Sequence, residues 1–398
     1  MRKPKIVIAG AGLGGLTAGL ALLKRGFEVE LYEQAENLEE IGAGVQIAAN
    51  GTRVLYDLGL GSRLQRIGTT PTDKEVRLWN TGKSWKFIDL GATSVTKYGA
   101  PYFAMHRADL QSELIKAVRQ EKGEAIHLNA RCTGFDQSPA GVVVHFSDRR
   151  SIEADILVGA DGIHSKIRQA LFGPDKVQFS GFMAWRALVP TVHLPASISR
   201  NAGAFWIGPG AHVVHYPIRG SRQINFIGIV ERSDWKVESW TETGTTDELS
   251  RDFAGWHVDV QAMIRDIELP YKWALIFREP IARWSVGRVT LLGDACHSTL
   301  PFLAQGANMA IEDGYMLARA LDKYGADHAS AFAGYEAARI ERTTRVVRVS
   351  AEQASRVHNP SLSDPAVAEA HVEREWEKNR VTDRYDWLYE YNALTAPL

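Results

Sequence analysis

Cysteine is scarce in this chain of 398 residues: Cys132 and Cys296 are the only two. Two thiols without metal-ligand spacing exclude a disulfide framework and a cysteine-based metal site, and they fit a reducing, cytoplasmic setting. Net charge is almost absent too. Lys and Arg total 46 against 47 Asp and Glu, so no global field steers the chain toward nucleic acid. Stacking platforms are also lacking, because the eleven tryptophans are scattered rather than interleaved with basic residues. They suit a core or a pocket better. Repeats and low-complexity linkers are missing. Long uncharged runs are missing as well, except for Ile6 to Leu23, so nothing else is long enough to span a bilayer.

What is present is the composition of a soluble globular protein, 45% hydrophobic and 23% charged, long enough for two domains. The one exceptional run follows a basic stub, MRKPK, which would suit an export signal. Five glycines, Gly10, Gly12, Gly14, Gly15 and Gly19, interrupt it, and each costs roughly 0.8–1 kcal/mol against Ala in a helix. No cleavage site follows, so the chain is expected to begin at or next to Met1. A strand, a turn and a helix explain the run better. Lys5 to Ala9 reads as a buried parallel strand and Leu13 to about Arg25 as a helix. Gly10, Gly12 and Gly15 then occupy a G-x-G-x-x-G pattern, which permits a tight turn, close backbone approach to a pyrophosphate, and helix-on-strand packing. A second strand, Glu28 to Tyr32, delivers Glu33 at the separation suited to a ribose hydroxyl. Each helix N-terminus in such a unit favours phosphate.

Further along, residues 102–120 read as a strand feeding a helix. From about 180 to 275 the texture becomes antiparallel, with HVVHYPIRGSRQINFIGIVER reading as a hairpin that turns at Arg219 to Ser221. GRVTLLGDA returns to the buried-strand pattern, followed by a glycine-containing loop, a helix through Ala320 and a long helix over 329–357. The expected fold is α/β with an α+β insert: a discontinuous Rossmann-like dinucleotide domain (1–70, 100–180, 276–360), an inserted antiparallel or mixed sheet (71–99, 181–275), and a C-terminal helical tail (361–398) free to pack on its own domain or on a neighbour.

Two more segments carry chemistry. EADILVGADGIHSKIR, residues 153–168, ends a strand in Asp161-Gly162 before a helix; a plain helix cap by Asp161 and Ser165 accounts for it equally well. In GRVTLLGDACHSTLPFLAQGANMAIEDG, residues 287–314, a strand delivers Gly293-Asp294 at its C-terminal end, where ligands of open α/β sheets bind.

Taken together, the Gly10-Gly12-Gly15 fingerprint with Glu33, Asp161-Gly162 and Gly293-Asp294 resemble the single-component FAD-dependent aromatic hydroxylases, over the chain to about residue 350. GAGVQIAANG at 42–51, HVVHYP and DACH are most similar to the salicylate hydroxylases, 3-hydroxybenzoate 6-hydroxylases and 6-hydroxynicotinate 3-monooxygenases. The resemblance implies FAD bound by Gly10, Gly12, Leu13, Gly14, Gly15, Glu33, Gln34, Val45, Arg107, Cys132, Asp161, Gly293, Asp294, Gly306 and Ala307. Within that set Glu33 would take the adenosine ribose, Asp294 the ribityl chain and Arg107 a place beside the flavin, while Asp161 belongs to a motif linked with both FAD and the nicotinamide donor. A second G-x-G-x-x-G is lacking, so NADH or NADPH is expected as a transient donor.

The resemblance also implies a substrate site at Gln46, His212, Tyr216, Pro301 and Phe302. His212 and Tyr216 are four residues apart on a strand and share a face, whereas His215 points the other way. Against a substrate role, Tyr favours strands and a lone His is usually a satisfied core residue. Pro301 and Phe302 stand where the 3-hydroxybenzoate 6-hydroxylases carry glutamine and tyrosine, which leaves regiochemistry open. His297 reads as a structural or supporting residue, Cys296 as a packed one. The implied reaction is hydroxylation of a phenolic aromatic acid, such as salicylate or 3-hydroxybenzoate, by NAD(P)H and O2 through a flavin hydroperoxide. Alternatives are a hydroxynicotinate, a larger quinolone or polyketide substrate, or a non-catalytic flavin module. Small molecules are the expected partners, with neither nucleic acid nor membrane, and the chain is expected as monomer or homodimer.

Overall fold

A computed structural model describes residues 3–38, 44–174, 176–232, 234 and 242–398; residues 42 and 43 of the GAGVQIAANG segment lie outside them. The uncharged run is a strand, Lys5–Ala9, and a helix, Leu13–Lys24. Its glycines sit in the turn and along the helix face that packs inward. The strand lies inside a six-stranded sheet whose spatial order is Ser285–Val286, Val289–Leu291, Ile156–Gly159, Lys5–Ala9, Glu28–Tyr32, Ile126–His127. All neighbours are parallel except the 285–291 hairpin. Parallel strands covered on both faces must be apolar throughout, and Ile6, Val7, Ile8, Leu157 and Val158 are fully buried. Helices Leu13–Lys24, Arg107–Glu121 and Gly306–Tyr324 pack together beside this sheet, and a three-stranded sheet over residues 132–154 shares the same core.

The second sheet has seven strands in the order Tyr271–Phe277, Gln178–Pro190, Gln223–Glu231, Ala211–Ile218, Gly203–Gly208, Asp73–Leu78, Ser84–Asp89. The expected hairpin is its centre, and Arg219, Gly220 and Ser221 make the turn with φ of 51°, 65° and 62°. The sheet is mixed, since Gly203–Gly208 runs parallel to Asp73–Leu78. Alternation sorts its side chains. Trp185, Trp206, Val213 and Phe226 join a core with helices Thr246–Asp252 and Val258–Arg265, whereas Ala184, Tyr216, Ile227 and Ile229 belong to a different apolar cluster with Phe302.

The C-terminal helices Pro365–Glu375 and Lys378–Tyr389 pack on their own chain. Arg342 donates to the carbonyls of Trp387 and Leu388, and Arg319 to those of Ala393 and Ala396. Beneath them a buried ion network joins Arg339 to Glu312 and Asp313 at 2.7 Å each. Among the described residues no helix is long and apolar enough to cross a membrane.

Candidate active site

The glycine turn is dictated sterically. Gly10 has φ +111°, and a Cβ there would lie 2.3 Å from the Ala160 carbonyl oxygen; at Gly15 it would lie 2.1 Å from the Gly10 carbonyl oxygen. Gly12, by contrast, has nothing within 4 Å of that position and lines a cleft, so its backbone is open to approach. Leu13, Gly14, Gly15, Val45, Gln46, Arg107, Gly293, Asp294, Gly306 and Ala307 line the same cleft. Two helix N-termini, at Leu13 and Gly306, therefore converge on it, a pairing suited to a diphosphate. Glu33 closes the turn: its carboxylate accepts from the Ala11 N–H at 2.8 Å and the Ala35 N–H at 3.0 Å. Gln34 beside it is exposed.

Asp294 sits at the cleft wall, with its accessible surface opening onto the cleft. Desolvation by the surrounding protein raises its pKa above the ordinary carboxylate value, partly offset by His297 and Arg107. Gly293 turns the chain with φ +62° and donates its N–H to Asp313. Asp313 also takes the His297 imidazole at 2.5 Å, so His297 fixes the turn that presents Asp294 rather than facing the cleft. Cys296 is buried beside it, and burial pushes its thiol well up.

Two residues sit differently. The Asp161 carboxylate is engaged by the Ser165 hydroxyl and the backbone N–H groups of Lys166 and Ile167. That is the cap arrangement, and it is Ala160 and Gly162 that line the cleft. Cys132 heads the Cys132–Gln137 strand with its thiol 3.7 Å from the Gly134 carbonyl, outside the cleft lining.

A second chamber opens at one end, sharing Gln46, Tyr216, Ile227, Pro301 and Ala304 with the cleft. His212 and Tyr216 both line it and both are buried. His215 points away as parity requires, accepting from the Trp206 indole at 3.1 Å. His212 Nδ1 lies 2.6 Å from His358 Nε2, and His358 Nδ1 lies 3.2 Å from Glu231, which leaves His212 Nε2 for the chamber. Burial, then the neighbouring His358, hold the His212 pKa well below the ordinary value; burial takes His358 down to about 3. Both rings are therefore neutral at physiological pH. Burial raises the Tyr216 pKa, so its phenol stays protonated, and it is hydrogen-bonded to Gln46. Gln46 in turn accepts from the Tyr102 hydroxyl at 2.5 Å. Pro301 stands at the mouth between the two spaces, and the Phe302 ring packs 5.4 Å from His212 and edge-on at 5.4 Å to Phe182. An apolar lining thus takes the place of a polar pair.

Sequence reasoning passed over four residues here. Lys74 and Tyr385 line the chamber, His358 backs His212, and Arg186 lines the cleft with its guanidinium 4.3 Å from the Trp273 ring. Only Lys74 and Arg186 left a trace, as charges inside alternating strands.

Such a geometry defines a dinucleotide-binding protein that carries an enclosed reaction chamber at the end of its cleft. The chain belongs to the FAD binding domain family, whose pattern matches residues 3–350. It is 38% identical over 396 residues to 3-amino-4-hydroxybenzoate 2-monooxygenase PtnB3 of Streptomyces platensis, covering 98% of this chain and 97% of that one. It is 38% identical to 6-hydroxynicotinate 3-monooxygenase of Pseudomonas fluorescens (88% and 91% covered) and 35% identical to 3-hydroxybenzoate 6-hydroxylase of Polaromonas naphthalenivorans (98% and 96%). Among solved structures, Klebsiella pneumoniae HpxO complexed with FAD and uric acid is similar, with TM-score 0.83, 27% identity and coverage of 99% and 97%. The cofactor is FAD, and the open face of Gly12, the paired helix N-termini and Asp294 fit it.

Proposed function

We propose that the protein is an NAD(P)H-dependent monooxygenase that hydroxylates a phenolic aromatic acid of the hydroxybenzoate or hydroxynicotinate kind. The observation that carries this reading is the chamber itself: a buried imidazole, His212, and a buried phenol, Tyr216, on one strand face, in a space continuous with the flavin cleft. In this reading residues 1–70, 100–180 and 276–360 form the FAD domain, 71–99 and 181–275 the substrate sheet, and 361–398 a closing tail. The cofactor is held by the residues of the Gly10 turn, Glu33, Arg107, Asp294 and the Gly306 helix. Bound FAD supplies the redox and oxygen chemistry.

The chain's own part is to make the ring electron-rich and to keep water away. His212 Nε2 accepts the phenolic proton, while its Nδ1–H donates to His358, whose Nδ1–H donates to the half-exposed carboxylate of Glu231. A proton can leave along that line without opening the chamber. Tyr216 keeps its own proton and offers it to the substrate as a hydrogen bond, while Gln46 supplies a hydrogen bond to its oxygen. Phe205, Phe302 and Tyr385 wall the ring with apolar surface, which desolvates the reacting atoms. Both cysteines are free, in keeping with a cytoplasmic enzyme, monomeric or dimeric.

The test is NADH and NADPH oxidation by the purified flavoprotein across a panel of hydroxybenzoates and hydroxynicotinates, with products identified by mass. Stimulated oxidation with one oxygen atom gained by the acid is expected. Oxidation that no phenolic acid stimulates would overturn the reading in favour of a flavin module without hydroxylase activity.

A further inference from the structure

The chamber contains one more charged group than proton transfer needs. Lys74 is the single lysine or arginine among the described residues that line it. Its strand runs parallel to Gly203–Gly208 with Lys74 opposite Gly203, and Ala204 opposite His215 carries the row on to Tyr216. Lys74, Gly203 and Tyr216 therefore stand side by side on one sheet face. A Cβ at Gly203 would lie 3.7 Å from the Tyr216 Cβ and 3.8 Å from the Lys74 Cγ, so the glycine leaves a notch between ammonium and phenol. Lys74 Nζ rests 4.7 Å over the Tyr102 ring, whose hydroxyl holds Gln46. Tyr102 thus aims the ammonium at the corner where Gln46 and Tyr216 already meet.

No carboxylate answers it. The adjacent Glu75 is taken by Arg77 at 3.1 Å and by Arg200, and the described residues offer Lys74 no ion pair. Burial alone brings its pKa down to about 7; the titratable groups that share the chamber lining with it are Glu75, His212, His215, Tyr216 and Tyr385, and Tyr102 lies beneath its ammonium. A half-buried ammonium that meets an aromatic face but no carboxylate is only partly compensated for the cost of its lost water. An anion arriving in the notch relieves that cost.

We propose that Lys74 binds the carboxylate of the aromatic acid substrate in the notch at Gly203, with the phenolic end directed toward His212. The inference rests on the hydroxylase reading above and adds its specificity: a monocyclic hydroxy acid is preferred over the same phenol without its carboxylate. His212 and Tyr216, four residues apart, are about 13 Å apart at Cα along the strand, so the notch and the imidazole stand toward opposite ends of the chamber, with room for a ring between their side chains. Arg186 is the competing cation, but it lines the flavin cleft beside Arg107 and Asp294 rather than the chamber.

The experiment compares the best hydroxy acid with its carboxamide, using the change in flavin absorbance of the FAD-loaded protein to measure Kd. Wild type should prefer the acid, and Lys74→Met should weaken the acid by about 10–100-fold while leaving the amide unchanged, as loss of one charge-assisted bond requires. Lys74→Arg should keep the preference. Gly203→Leu, which leaves the lysine in place but fills the notch, should weaken the acid as well, so the idea survives a poorly folding methionine variant. Equal loss for acid and amide in Lys74→Met, or unchanged acid binding, would overturn the assignment while hydroxylation stands; loss of the preference in Arg186→Met alone would move the carboxylate to Arg186. If wild type binds and hydroxylates no phenolic acid, the parent reading fails and the Lys74 assignment with it.

Discussion

The cleft and the chamber are made of different material. The cleft is shaped by backbone: a turn that admits only glycine at Gly10 and Gly15, an open Gly12, and two helix N-termini. The chamber is shaped by side chains that reach it from the Gly44–Ile47 strand, the seven-stranded sheet, the Pro301–Leu303 turn and the last long helix. Backbone cradles serve any chain that carries the same cofactor, whereas side-chain walls can be exchanged singly. The difference teaches where to look for selectivity: in Lys74, Phe205, Pro301, Phe302 and Tyr385 rather than in the fingerprint.

The sharpest way to break this contrast is at the cleft. Gly10→Val forces a side chain against the Ala160 carbonyl in a left-handed conformation, and we expect loss of FAD together with destabilisation of about 3 kcal/mol or more. A Gly10→Val protein that purifies yellow with wild-type melting would show that the turn is not the cradle. Next in size is His212→Ala, which should keep FAD yet slow hydroxylation by about 10²–10⁴-fold, the usual worth of a positioned base. The His212 pKa lies well below the ordinary value, so the imidazole is already deprotonated near neutrality. Wild-type turnover should accordingly fall on the acid side only well below pH 6, and an acid limb at the ordinary histidine pKa would contradict the buried, neutral pair.

Glu33→Ala removes the acceptor of the Ala11 and Ala35 N–H groups and the carboxylate for the ribose, and should weaken FAD by about 10–100-fold in a flavin titration. Asp161→Ala is the smallest. It deletes a helix cap, costing about 1 kcal/mol in urea unfolding, with FAD affinity unchanged. A large loss of FAD there would return Asp161 to the cofactor set.

The sequence pattern foretells the cleft well because its information is local. Strand, Gly10 turn, helix and Glu33 follow one another within one β-α-β unit, and steric rules tie each glycine to one backbone conformation. The parity of His212, His215 and Tyr216 was legible for the same reason, since alternation is a property of one strand. Lys74 was not, because its place depends on the register between Asp73–Leu78 and Gly203–Gly208, set by packing of distant segments. His358 and Tyr385 were hidden too: they come from helices whose docking no local pattern encodes. At Asp161 the plainer of two readings, a cap, describes its contacts, and in an isolated strand-loop-helix the two cannot be told apart.

Tyr385 has a consequence for how tightly electron flow is coupled to oxygen transfer. It closes the chamber from the Lys378–Tyr389 helix, whose Leu388 carbonyl is held by Arg342, so the wall that keeps water from the reacting atoms is fixed by the same contacts that dock the tail. On the hydroxylase reading Tyr385→Ala, with the helix left in place, should release more hydrogen peroxide and less hydroxylated acid per NADH than wild type.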